Sequence, residues 1–189
     1  MTWIVLAVIA ADVVLVLLWG IGTYNRLVRQ RNQVQSAGAQ VDVQLKRRHD
    51  LIPNLVETVK GYAAHERGTL DAVVQARNAA LTAQGPAQQP AAEGALSGAL
   101  GRLLALSEAY PDLKANANFQ QLQSELTDVE NKLAAARRFF NNAVSEYNAS
   151  IQAFPAVLFA GSMGFGPREF FDLGETQRQT LDVAPQVKF

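Results

Sequence analysis

The sequence predicts an all-α protein: one N-terminal transmembrane helix that continues into an antiparallel, up-down four-helix bundle. Three observations lead there. Alanine, leucine, valine and glutamine are the commonest of the 189 residues and aromatics reach only 8%, so β-branched and aromatic residues are too few and too clustered for a strand-rich core. Residues 3–22 form one apolar run. Beyond it, apolar residues recur every three or four positions, the period of a helix with one buried face.

The apolar run, WIVLAVIAADVVLVLLWGIG, has twenty residues and one ionisable group, Asp12. About 20 residues at 1.5 Å each span the ~30 Å hydrocarbon core. Trp3 and Trp19 lie near its two ends, where indole rings prefer the interface. A cleaved signal peptide needs a basic leader, which Met1-Thr2 lacks, and a shorter apolar stretch, so residues 1–22 read as an uncleaved anchor. Arg26, Arg29 and Arg31 follow the run at once and nothing basic precedes it. The positive-inside bias therefore puts the N-terminus outside and the bulk of the chain in the cytoplasm, as in a bacterial inner-membrane protein. Asp12 sits mid-span, where an ionised, lipid-facing carboxylate costs a few kcal/mol. Two readings stay open for it: contact with a polar group on another span, an identical one included, or a protonated residue tolerated in a simple anchor.

From residue 23 to 154 the pattern divides into four helices. The first, about 23–49, carries the stripe Tyr24, Leu27, Val34, Gly38, Val41, Leu45 and leaves the membrane without a break. Lys46, Arg47, Arg48 and His49 suit a helix C-terminus, and Asp50 can cap a second helix with Pro53 in its first turn. That second helix, about 51–83, places Leu55, Val59, Tyr62, Val73, Ala76 and Ala80 on one side. GPAQQPA at 85–91 reads as an exposed loop. A third helix, about 93–110, carries Leu96, Leu100, Leu103, Leu104 and Leu106, and Tyr110 to Leu113 reads as a turn. The fourth, 118–154, is the clearest. Phe119, Leu122, Leu126, Val129, Leu133, Ala136, Phe140, Ala143 and Tyr147 alternate steps of three and four, and Phe154 extends the register. Asn118 with Gln121 resembles a capping box, and Pro155 closes the helix. Such stripes also describe an extended coiled coil, but the prolines chop them into bundle-length pieces. Residues 155–171 form an apolar Gly/Phe segment, and 172–189 read as a flexible tail.

The segments YNRLVRQRNQV (24–34), KRRHDLIPNLVETVKGY (46–62), AYPDLKAN (109–116), FQQLQSEL (119–126), ARRFFNNAVSEYN (136–148) and GFGPREFF (164–171) closely resemble the LemA family. The resemblance covers about residues 20–172 and keeps the family's order. It implies a bacterial membrane protein with one N-terminal span and a cytoplasmic four-helix bundle, and no established catalytic activity.

Chemistry-bearing patterns are sparse. Zero cysteines exclude disulfides, thiolate zinc sites and cysteine nucleophiles. Seventeen basic and seventeen acidic residues cancel, so the whole molecule offers no argument for nucleic acid. The charge is uneven: residues 23–60 hold seven basic and three acidic side chains. His49 and His65 stand sixteen apart without a metal-ligand motif, and His49 reads as serving the helix end. Glu125, Asp128 and Glu130 flank the fourth stripe as a solvated face does. Ser162 lacks the strand–turn–helix context of a nucleophile elbow, and its glycines lack the partner of a phosphate loop. Asn148-Ala149-Ser150 is a glycosylation sequon without meaning on a cytoplasmic helix.

The expectation is a non-enzymatic, membrane-anchored interaction or scaffold protein without cofactor or metal, its bundle presented to unidentified envelope proteins and itself able to form homo-oligomers. The alternative is a membrane-remodelling or lipid-associating protein that works through the basic flank and the apolar C-terminal segment. The expected lipid or partner contacts are Arg26, Arg29, Arg31, Val157, Leu158, Phe159, Phe165, Arg168, Phe170 and Phe171. The competing reading folds that segment back over the end of the bundle.

Overall fold

The computed structural model of the protein describes residues 1–83 and 85–171. They form five α-helices: α1 (Thr2–Lys60), α2 (Arg67–Thr82), α3 (Gly85–Ser107), α4 (Pro111–Lys114) and α5 (Ala117–Gln152). A 3-10 turn follows at Ala156–Leu158, and the described residues contain no strand. The all-helical expectation is met. So is the long apolar N-terminal helix: α1 contains a stretch long and apolar enough to cross a membrane, and none of that stretch is buried. The tail expected at 172–189 lies outside the described residues.

The chain divides into two compact units, and α1 and α5 contribute to both. The first unit takes residues 1–39 and 138–170. Leu27, Val34 and Ala37 of α1 pack there with Ala143, Val144, Tyr147 and Ile151 of α5, and with Ala156, Ala160 and Phe165 beyond it. Gly38 belongs to the same seam, since a Cβ at that position would meet the Phe140 ring at 3.5 Å. Phe154, expected to extend the α5 stripe, stands 72% exposed. The helix has already ended at Gln152, so its register no longer applies, and Ile151 fills the core instead.

The second unit takes residues 40–137 and Phe171. Its core joins Ile52, Leu55 and Val59 of α1 to Leu70 and Val73 of α2, Leu96, Leu100 and Leu103 of α3, Leu113 of α4, and Phe119 and Leu126 of α5. The α5 stripe is buried or half-buried at every position from Phe119 to Tyr147 that the three-four spacing marks.

Several helix boundaries are corrected. No break occurs at Asp50–Pro53: α1 runs through Pro53 to Lys60. Proline removes the N–H that would bond the carbonyl four residues earlier, and here that is the carbonyl of His49. The Arg77 side chain replaces it, its Nε donating to the His49 oxygen over 2.8 Å. Asp50 caps nothing and pairs with Lys46 at 2.7 Å. The break comes instead at Gly61, where the N–H groups of Tyr62 and Ala63 both bond to the Val59 carbonyl. The expected helix at 51–83 is therefore the end of α1 followed by α2. The expected loop at 85–91 is the start of α3, which also absorbs Pro90. Pro86 sits in its first turn, where a missing N–H forfeits no bond. The expected turn at 110–113 holds the four-residue helix α4. At the start of α5 the cap is Asn116, not Asn118: the Asn116 Oδ1 accepts the N–H of Phe119 at 3.0 Å, while Gln121 donates to Glu125.

Candidate functional site

Two places gather groups capable of recognition or chemistry, one in each unit. In the first unit, the end of α5 turns back beside the apolar run of α1. The rings of Trp19 and Phe154 lie 5.7 Å apart at 52°. Phe165 is buried, met edge-on by Tyr24 at 5.5 Å and covered by the guanidinium of Arg31 at 5.3 Å from its centroid. Such contacts stabilise the ring through its quadrupole. Arg168 is anchored by its backbone: its N–H donates to Asn148 Oδ1 and its carbonyl accepts from Asn148 Nδ2, both at 2.8 Å.

Of the residues expected to meet lipid or a partner, Arg26, Arg29, Arg168, Val157, Leu158 and Phe170 are exposed. Arg31 and Phe159 are half-buried. Asp12 is exposed within the apolar run of α1. Phe165 and Phe171 are corrected: Phe165 closes the core of the first unit, and Phe171 is buried in the second, its ring centroid 4.8 Å from the Arg137 guanidinium. The structure brings Arg31 and Phe165 together and leaves Asp12 apart from them. Sequence reasoning missed Phe154 and Met163, both exposed. Their signal was the absence of any charge between Glu146 and Arg168.

In the second unit, Arg48 and His49 were expected at a solvated helix end, and both are buried. Arg48 Nη1 lies 2.6 Å from Glu93 Oε2, its Nη2 donates to Ser97 Oγ at 2.7 Å, and its Nε lies 2.6 Å from Glu130 Oε1 without hydrogen-bond alignment. His49 Nε2 stands 2.8 Å from the other Glu93 oxygen. Burial pushes the Glu93 carboxyl up, but the His49 hydrogen bond and the Arg48 charge outweigh it and hold the group below its ordinary value. An ionised carboxylate only accepts, so Nε2 of His49 carries the proton. Burial lowers Arg137 nearby, with Glu93 and Glu130 opposing. Glu130, expected on a solvated face, is half-buried in this network. The signal was in the register: Val41 and Leu45 lead at helical spacing through Arg48 and His49 to Ile52, so both polar residues stand on the buried face. The acids, bases and hydroxyl of the network face one another, an arrangement that fixes α1, α3 and α5 of this unit in register.

Residues 37–189 match the sequence profile of the LemA family. The chain is 26% identical over 168 residues to Protein LemA of Metamycoplasma hominis, a match covering 87% of this chain and 75% of that protein. It is 25% identical over 190 residues to the magnetosome protein MamQ of Magnetospirillum gryphiswaldense, covering 87% of this chain and 70% of MamQ. The magnetosome protein MamQ 2 of Paramagnetospirillum magneticum is 26% identical over the same shares.

Proposed function

The chain belongs to the LemA family, and from that membership we propose that it is a non-enzymatic scaffold, anchored in a bacterial inner membrane by one span and presenting a cytoplasmic helical body to envelope proteins. The observation that carries this reading is the continuity of α1. One helix of 59 residues holds both the apolar run and a buried share of the body's core, so the chain passes from one to the other without leaving the helix. An antiparallel four-helix bundle is the simplest arrangement for such stripes, and the basic flank at Arg26, Arg29 and Arg31 supports a cytoplasmic body. The non-enzymatic part rests on the ionic network, whose members are engaged with one another.

The surface suited to a partner is the shallow groove where Arg47, Asp50 and Leu51 of α1 face Glu125, Asp128 and Lys132 of α5. It mixes both signs of charge around an apolar strip, the make-up of a selective, non-obligate contact. A photo-crosslinker at Leu51 in native membranes should give discrete protein adducts. Reversing Arg47 and Lys132 to Glu should remove those adducts and leave the melting temperature unchanged. Adducts that survive the reversal, or their absence from the start, would place the scaffold face elsewhere.

A further inference from the structure

The turn after α5 has an inverted distribution of apolar side chains. Its small residues Ala156 and Ala160 are buried, while Phe154, Val157, Leu158 and Met163 are each more than half exposed. The inversion is built in. The N–H of Val157 bonds to the Ala153 carbonyl, that of Ala160 to Ala156, and that of Phe165 to Ala160 at 2.9 Å. Phe165 then locks the turn to α1 between Tyr24 and Arg31. Gly164, at φ 75°, adopts the left-handed backbone that reverses the chain. A structured turn that turns Phe159 toward the core yet leaves Phe154, Val157, Leu158 and Met163 outside presents those four to something other than water.

The depth of the turn identifies what that is. The apolar run ends at Gly22, so Trp19 sits about 5 Å inside the end of a span of ~30 Å, where indole favours the interface. Phe154 touches Trp19 and therefore shares that depth. Arg26 lies about 10 Å further along α1 than Trp19, at the level of lipid phosphates, and Arg29 is exposed beyond it.

We propose that the turn Ala153–Gly164 is a second membrane contact, with Phe154, Val157, Leu158 and Met163 inserted at the headgroup–acyl boundary of the leaflet that surrounds Trp19. Arg26 and Arg29 pair there with anionic headgroups. The span and the turn together grip the bilayer at two points and fix the rotation of α1 about its own axis. The inference rests on α1 spanning the bilayer, and its test reads that separately.

The chain has no cysteine, so single labels are clean. Full-length protein carrying Leu158→Cys or Val157→Cys, labelled with an environment-sensitive fluorophore, is reconstituted in phosphatidylcholine–phosphatidylglycerol vesicles. Nitroxides placed near the headgroup should quench both labels several-fold more than aqueous iodide does. A label at Asn142, exposed and about 15 Å back from the end of α5, should show the reverse. A label at Val13 should be quenched only by deep nitroxides; if it is not, the span is wrong and the proposal falls with it. With Val13 deep, iodide-accessible labels at 157 and 158 overturn the second contact alone. Labels shielded from both iodide and lipid quenchers also overturn it, in favour of a second copy or another protein over the turn.

Discussion

Glu93 is the residue on which the second unit's polar core turns. It is 2% exposed, and both carboxylate oxygens are committed, one to Arg48 and one to His49. Removing one partner of a buried ion pair leaves the other charge uncompensated, so Glu93→Gln should cost about 3–5 kcal/mol in denaturant unfolding. The same residue sets an acid limb. Its folded pKa lies below its ordinary value of 4.5, so its contribution is complete above 4.5 and is lost as the pH falls through the lower folded value. Stability measured against pH should therefore decline below about 4.5, and that part of the decline should vanish in Glu93→Gln. An unchanged acid limb would mean that other carboxylates carry it. In the α5 stripe, Leu133 is fully buried, and Leu133→Ala should cost about 2–5 kcal/mol. Gln123, exposed on the same helix, should tolerate alanine within about 0.5 kcal/mol.

Helix α1 poses the question of how a 59-residue helix survives an internal proline. Arg77 answers it by capping the carbonyl that Pro53 orphans. Arg77→Met should leave that carbonyl unsatisfied and cost about 1–3 kcal/mol. Pro53→Ala restores the missing intrahelical N–H, so the Arg77 substitution should cost much less in its presence. Additive effects in that double-mutant cycle would separate Arg77 from the proline. At Gly38 the nearest atoms to a Cβ are ring carbons of Phe140 at 3.5 and 3.8 Å, ordinary contact distances. Gly38→Ala should therefore stabilise the helix by up to about 1 kcal/mol, as read by thermal melting.

The proposed anchor is the feature of the whole molecule that most directly invites a test. Asp12 is exposed on the apolar run, and a carboxylate in hydrocarbon finds a partner or stays protonated. If it joins spans, Asp12→Leu should reduce self-association of the full chain in mild detergent while membrane insertion is unaffected. An unchanged oligomer profile would leave a simple anchor. For the proposed orientation, alkaline phosphatase fused after Phe189 should be inactive in intact cells, and activity there would place the body outside.

The sequence by itself determined the helical class, the apolar run and the buried face of α5. All three rest on local composition and periodicity, which a chain carries wherever it folds. It did not determine where α1 stops. The carbonyl left free by Pro53 is satisfied from Arg77, 24 positions after the proline, and no local rule sees a partner that far away. Arg48 and His49 were misplaced for the same reason: cations near an expected helix end suit solvent, and only the approach of Glu93 from α3 makes their burial affordable. In the apolar Gly/Phe segment, composition marked a sticky stretch, but the fold decided which rings it uses inside. Phe165 and Phe171 went inside, Phe171 against Arg137, while Phe154, Val157, Leu158 and Met163 stayed outside, because within the turn the backbone bonds from Ala153 to Phe165, not hydrophobicity, set the direction of each side chain.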